Sequence, residues 1–259
     1  MRILIRTELF VLRRRPVGAA MLWVCTLLPA VAAVLYGQLS TSEMILNERP
    51  VAEMLPFSGP DAAQVALRTL HWLIPLFMLA LAGQSWAGER TTHVLREQWV
   101  RPISRSAAFW AKTLSLWAIG VVCLFGATLM SLLITTPWLG TDGPWRVLGA
   151  SVLMSVPTLF GLTLLATCMA QIGRSTASVI VGGLLFLGID LGLRLGLAAL
   201  GFMGVGWASA LKGFLFGSAV GQWTSAADGL SVAPLLSLLG WAVVLAAVSW
   251  RRVQRMDVP

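Results

Sequence analysis

Apolar residues run through this chain in six long blocks, and the short segments between them carry most of the charge. The blocks cover about 17–36, 67–87, 107–135, 147–169, 176–200 and 232–250. Each is close to the roughly 20 residues that an α-helix needs to cross a hydrocarbon core of about 30 Å. The pattern predicts an all-α membrane protein with six transmembrane helices, built as one domain over residues 1–259. Two segments fit neither span nor loop. Residues 1–15 set Ile3, Leu4, Ile5, Leu9, Phe10 and Leu12 among Arg2, Arg6, Glu8 and Arg13 to Arg15, which reads as a helix lying in the inner interface. Residues 201–230 are apolar but broken by Gly204, Gly206, Gly213, Gly217 and Gly221, and read as a re-entrant segment in the outer leaflet.

Composition agrees with this pattern. Of 259 residues, 57% are hydrophobic and 12% charged, about half the charged fraction of a soluble domain. The net charge of +8 would suggest nucleic acid in a soluble protein. Here the basic residues sit between spans, where they set orientation instead. Arg2, Arg6, Arg13, Arg14 and Arg15 precede span one. Arg90, Arg96, Arg101, Arg105 and Lys112 surround the connection from span two to span three. Arg174 separates spans four and five, and Arg251, Arg252 and Arg255 follow span six. The alternate connections hold Glu43, Glu48, Glu53, Asp61, Asp142 and Asp228. Both termini are therefore expected in the cytoplasm, with no nucleic-acid partner and membrane lipid as the surrounding solvent. The first span follows arginines and contains Ala30-Val31-Ala32, which resembles a signal cleavage site; it is read as a retained anchor. Trp86, Trp99, Trp110 and Trp250 are expected near the inner interface, and Trp72, Trp138, Trp145, Trp207 and Trp223 near the outer one. Cys25, Cys123 and Cys168 lie inside apolar runs at spacings that fit neither a zinc site nor a disulfide framework, so packing is their expected role.

The segment 88–105 is the most informative. Val94, Leu95 and Trp99 recur at helical spacing with Arg96, Glu97 and Arg101 between them, and Pro102 ends the pattern. A short amphipathic helix on the cytoplasmic face can dock in a partner's groove; an ordinary solvated loop is the alternative. Gly88-Glu89-Arg90, Val94-Leu95, Arg101-Pro102-Ile103-Ser104-Arg105 and Lys112 together resemble the membrane subunits of bacterial type-2 ABC transporters. Those carry an acidic residue after span two and a short coupling helix leading into span three. Glu8 followed by Arg13-Arg14-Arg15-Pro16 resembles that family's opening interface helix, and the glycine-broken stretch before span six resembles its outer re-entrant helices. Thr91-Thr92-His93 departs from the glycine-threonine pair frequent there.

The resemblance implies a transmembrane subunit of an exporter in the bacterial cytoplasmic membrane. It would pair with a second copy or a paralogue and be driven by a separate P-loop ATPase that holds the ATP and Mg. Under it, Glu89, Arg90, Leu95, Arg96, Glu97, Trp99 and Arg101 are the expected ATPase-docking residues. An acidic residue in span five, here Asp190, also resembles the permeases that accompany nitrous-oxide reductase maturation.

Span five carries Asp190 and Arg194, four residues apart and able to pair on one face. Ionisable groups within a span are costly and mark either a structural pair or a substrate path. Gly188, Gly192 and Gly196 form a small-residue stripe suited to close helix packing, nearly opposite Asp190. The chain has no GxxxxGK[ST] loop; its lysines are Lys112 and Lys212, in the wrong context. It is thus not expected to be an enzyme by itself, and no directly bound cofactor or metal is expected. Gly149-Ala150-Ser151 resembles a membrane-protease serine motif, but Val152 stands where glycine belongs, and His71 and His93 both lie upstream. The remaining alternatives are a subunit that signals mechanically to an outer-face accessory protein without transport, and a membrane enzyme or channel.

Overall fold

A computed structural model describes residues 2–40, 45–46, 49–50, 58–91, 104–218, 220 and 232–255. The first helix, α1 (Arg2–Arg14), stops because Arg15 precedes Pro16, and the residue before a proline is pushed out of the helical region. Pro16 then opens α2 (Pro16–Ser40), where a missing N–H leaves nothing unsatisfied. Gly18 sits under this corner: a Cβ there would overlap the backbone carbonyl of Leu12. Leu12 is buried while Ile3 and Phe10 face outward, so α1 has one packed side. Beyond α2, Ile45–Leu46 and Arg49–Pro50 form a two-residue antiparallel pair.

Span two is α3 (Gly59–Ala82), continued by a π-helical turn (Gly83–Gly88) and the short α4 (Glu89–Thr91). Span three is α5 (Arg105–Leu139), span four α6 (Trp145–Ile172) and span five α7 (Thr176–Phe202). A nine-residue helix, α8 (Gly206–Phe214), precedes span six, α9 (Val232–Gln254). Six helices among the described residues are thus long and apolar enough to cross a membrane, at the six expected places.

The largest boundary difference is at span two, which begins at Gly59 rather than near Leu67. A capping box fixes that start: the Ser58 hydroxyl accepts from the Asp61 N–H, and the Asp61 carboxylate accepts from the Ser58 N–H at 3.2 Å. Asp61 and Gln64 dilute the hydropathy of residues 59–66, which are nonetheless helical.

The helix ends sort into two groups. At one end the Gly59 N–H donates to the Gly140 carbonyl at 3.2 Å, tying spans two and three together. Gly140 ends span three at φ +82°, a left-handed conformation that favours glycine. At the other end the Ser115 hydroxyl donates to the Ile5 carbonyl, and the Arg105 guanidinium donates to the Gln254 carbonyl at 2.7 Å. The α1 segment, the last turn of α9, the end of span two at Thr91, the start of span three at Arg105 and the span four–five connection therefore share one end of the bundle. This is where the sequence concentrates arginine. Trp138 and Trp145 lie together at the Gly59–Gly140 end. Trp72 does not: it lies thirteen residues into span two from Gly59, about 20 Å along the axis, and is 83% exposed.

Span four is the centre of the bundle and span five its edge: 67% of the most apolar window of span four is buried, against 17% for span five. Several polar side chains inside the bundle are satisfied locally. Thr128, Thr135, Ser155, Thr158, Thr163 and Thr167 each donate to the carbonyl four residues earlier, the usual solution where water is absent. The three cysteines are buried free thiols. Between spans five and six, Phe216 is fully buried and packs edge-on against Phe186 and Trp241, with centroids 6.2 and 6.1 Å away. The Trp241 indole N–H and the Ser237 hydroxyl both donate to the Phe214 carbonyl.

Candidate functional site

The chain leaves span two through the π-helical turn Gly83–Gly88, which inserts an extra residue and redirects the side chains that follow. Trp86 turns inward against Phe109, and Glu89 follows it, only 5% exposed. Glu89 receives two cations. The Lys112 ammonium donates to its Oε2 at 2.6 Å, and Arg15 Nη2 lies 2.5 Å from Oε1. Lys112 is 1% exposed; it also donates to the Ser85 carbonyl at 3.1 Å and lies 3.4 Å from Glu8 Oε1. Its Nζ stands 5.6 Å above the Trp86 ring.

Two carboxylates and two cations sum to zero, which is how such groups survive out of water. Glu8 comes from α1, Arg15 from the α1–α2 corner, Glu89 from the end of span two and Lys112 from span three. The quartet therefore joins four elements at the end of span two.

Arg90 is also used within the chain. Its guanidinium donates to the carbonyls of Ala170, Gln171 and Gly173, and to that of Trp86, capping the end of span four. The sequence places Glu89 and Arg90 among surface-docking residues. The structure instead buries the first in an ion cluster and bonds the second to a neighbouring helix end. Leu95, Arg96, Glu97, Trp99 and Arg101 lie outside the described residues. Lys112 was legible only as part of a motif; its single positive charge within an apolar run was the signal that it would need a buried carboxylate.

The second arrangement lies within span five. Asp190 is 5% exposed, and its Oδ2 stands 3.0 Å from Arg194 Nε, so the expected pair forms. The same oxygen accepts the Gly217 N–H at 3.1 Å. Asp190 is twelve residues from the end of span five, so Gly217 returns about 18 Å along that helix. Gly217 fits because a Cβ there would collide with the Asp190 carboxylate and lie 2.7 Å from Arg194 Cζ.

The glycine stripe has no close neighbour among the described residues. A Cβ built on Gly188, Gly192 or Gly196 meets nothing within 4 Å, so among the described residues no helix packs there. The close approach is made by Gly183, where a Cβ would lie 2.9 Å from Leu79 Cγ. The charged face is the one that packs inward, because an ion pair in a membrane needs protein partners more than a small-residue face does.

Arg194 opens onto a cavity of about 390 Å³ between spans two, four and five and the return segment. His71, Trp72, Phe216, Gly217 and Leu162 are among its walls. His71 Nδ1 lies 2.6 Å from the Leu67 carbonyl; a carbonyl only accepts, so this nitrogen carries the proton. Its Nε2 faces the Ser155 hydroxyl at 3.3 Å. Among the described residues the cavity thus offers a broad apolar wall with the guanidinium of the Asp190–Arg194 pair beside it.

Comparison with known proteins supplies the family. A search of curated proteins finds no significant match. The family model described as ABC-2 family transporter protein matches residues 4–188. The match spans α1, the ion quartet and spans one to four, and ends within span five just before Asp190. It does not bear on the narrower likeness to nitrous-oxide reductase maturation permeases. With most of the chain matched and six spans in place, this protein is a multi-pass membrane protein and belongs to the ABC-2 family of transporter proteins.

Proposed function

We propose that this chain is the membrane subunit of an exporter whose ATP is bound and hydrolysed, with Mg, by a separate P-loop ATPase. Two permease chains, either two copies or this chain and a paralogue, would carry two such ATPases. The chain would sit in the bacterial cytoplasmic membrane. The end bearing α1, Glu89 and the last turn of α9 would face the cytoplasm, because basic residues gather there.

The buried quartet Glu8–Arg15–Glu89–Lys112 carries this reading. A force on residues 92–103 reaches Glu89 and Ser104 first. Through the quartet it acts at once on α1, span one, span two and span three. Packed elements held by paired buried charges move as units rather than deform. ATP-driven closure of the partner subunits would shift these spans between two arrangements that differ in which side is open, provided each arrangement has its own contacts.

The cavity beside Arg194 favours transport over purely mechanical signalling, since an apolar chamber bordered by the Asp190–Arg194 pair can receive an amphipathic molecule. The return segment through Phe216 and Gly217 would lie in the outer leaflet as a re-entrant wall. An outer-face accessory protein would be an addition to this scheme, not a replacement for it.

Charge reversal at Glu97 tests the docking assignment. Co-purification of Glu97→Arg with the ATPase is expected to fall at least about tenfold, the ratio that a loss of 1.4 kcal/mol produces. Undiminished association would place the docking surface elsewhere.

A further inference from the structure

At the end of the bundle that carries α1 and the last turn of α9, a cavity of about 360 Å³ opens between spans two, four and six. Among the described residues its walls are Arg90, Gln171, Arg251, Arg252 and Arg255. Four guanidinium groups border one small space, and no carboxylate is among these walls. Part of this has an ordinary explanation. Cations in the last turn of a helix are favoured by its dipole, and arginine is common at one membrane face.

Gln171 has no such explanation. It is 1% exposed, and neither its amide nitrogen nor its amide oxygen has a hydrogen-bond partner. A buried amide left unsatisfied is destabilising, and native structures rarely keep one without a ligand or water to satisfy it. A group rich in acceptors would satisfy this cavity. Guanidinium forks match the oxygens of a phosphate, and the Gln171 amide N–H would add another donor. The Gln171 oxygen needs a donor in return, which a hydroxyl-bearing headgroup supplies.

The surroundings indicate where that phosphate comes from. Ile172, beside Gln171, is 49% exposed, and Val248 is 42% exposed. Val248 shares a helix face with Arg251 and Arg252, three and four residues on. Apolar surface leads away from the basic cavity along the membrane-spanning part of the bundle, the path acyl chains would follow. We propose that this cavity binds the phosphate headgroup of an anionic phospholipid, held by Arg251, Arg252, Arg255 and Gln171, with Arg90 forming the inner wall.

The test is native mass spectrometry of the full chain released from nanodiscs containing equal parts phosphatidylglycerol and phosphatidylcholine. Preferential retention of phosphatidylglycerol is expected. Retention should fall about fivefold for each arginine removed in Arg252→Gln and Arg255→Gln, and also in Gln171→Leu. Arg255 is at the exposed end of its helix, so its variant tests the site without threatening the fold. Equal retention of the two lipids, or full retention by all three variants, would overturn the proposal. Inorganic phosphate supplies the remaining arm. Phosphatidylglycerol held in the presence of millimolar phosphate supports a lipid site; its complete displacement by phosphate would overturn the lipid assignment in favour of a free-anion site.

Discussion

Glu89→Ala is expected to destabilise the membrane domain by about 3–5 kcal/mol, the range for removing one partner of a buried ion pair. The argument rests on what remains. Lys112 is 1% exposed and cannot turn to water. Without Glu89 its nearest carboxylate is Glu8, at the longer distance of 3.4 Å. Arg15, at 21% side-chain exposure, can reorient toward solvent, so its loss is smaller. Most of the cost is therefore the buried ammonium, left with only the longer contact to Glu8 and the Ser85 carbonyl.

That view makes a second, sharper statement. Glu89→Leu combined with Lys112→Met removes both charges and is expected to recover most of the stability, because apolar replacements of a buried pair are often neutral or better. Thermal unfolding of the detergent-purified protein reads both variants. A single variant as stable as the wild type would contradict the quartet; a double variant as unstable as the single would assign Glu89 a role beyond pairing.

Asp190→Asn is expected to leave assembly intact and to lower the ATPase turnover of the reconstituted complex at least about tenfold, corresponding to 1.4 kcal/mol in the rate-determining equilibrium. Asparagine keeps an oxygen for the Gly217 N–H, so the return segment stays in place. The negative charge opposite Arg194 is lost, however, and that cation faces a largely apolar cavity. Asp190→Ala removes the acceptor as well, and stability is expected to drop by about 1–3 kcal/mol from the orphaned amide. Normal turnover in Asp190→Asn, alongside lower stability in Asp190→Ala, would make the pair purely structural.

Hydropathy and charge gave the architecture away, because a bilayer constrains a helix more severely than water does. Six runs of sufficient length leave few alternatives, and the alternation of basic and acidic connections predicts which helix ends share a side. The start of span two was harder, since Asp61 and Gln64 lower its hydropathy while the Ser58–Asp61 box makes it helical.

The sites divide along another line. Asp190 and Arg194 were legible as a pair because four residues of separation are local geometry. Their third partner, Gly217, was not, because it arrives from a different part of the chain. Glu89 shows the same limit. Its position after span two marked it as important, but a one-dimensional reading cannot distinguish a carboxylate that greets a partner from one that holds Lys112 and Arg15. The glycine stripe of span five shows a related limit: spacing that permits close packing does not say which neighbour takes it, and among the described residues the close approach is at Gly183.

The central claim is that the connection after Glu89 lies on the cytoplasmic side, within reach of an ATPase. Thiol labelling with a membrane-impermeant reagent tests it most directly, since Cys25, Cys123 and Cys168 are buried and should not compete. Thr91 and Asp142 are both exposed, at opposite ends of the bundle. Asp142→Cys should label in intact cells, and Thr91→Cys only after the membrane is permeabilised. Labelling of Thr91→Cys in intact cells, with Asp142→Cys protected, would contradict the account.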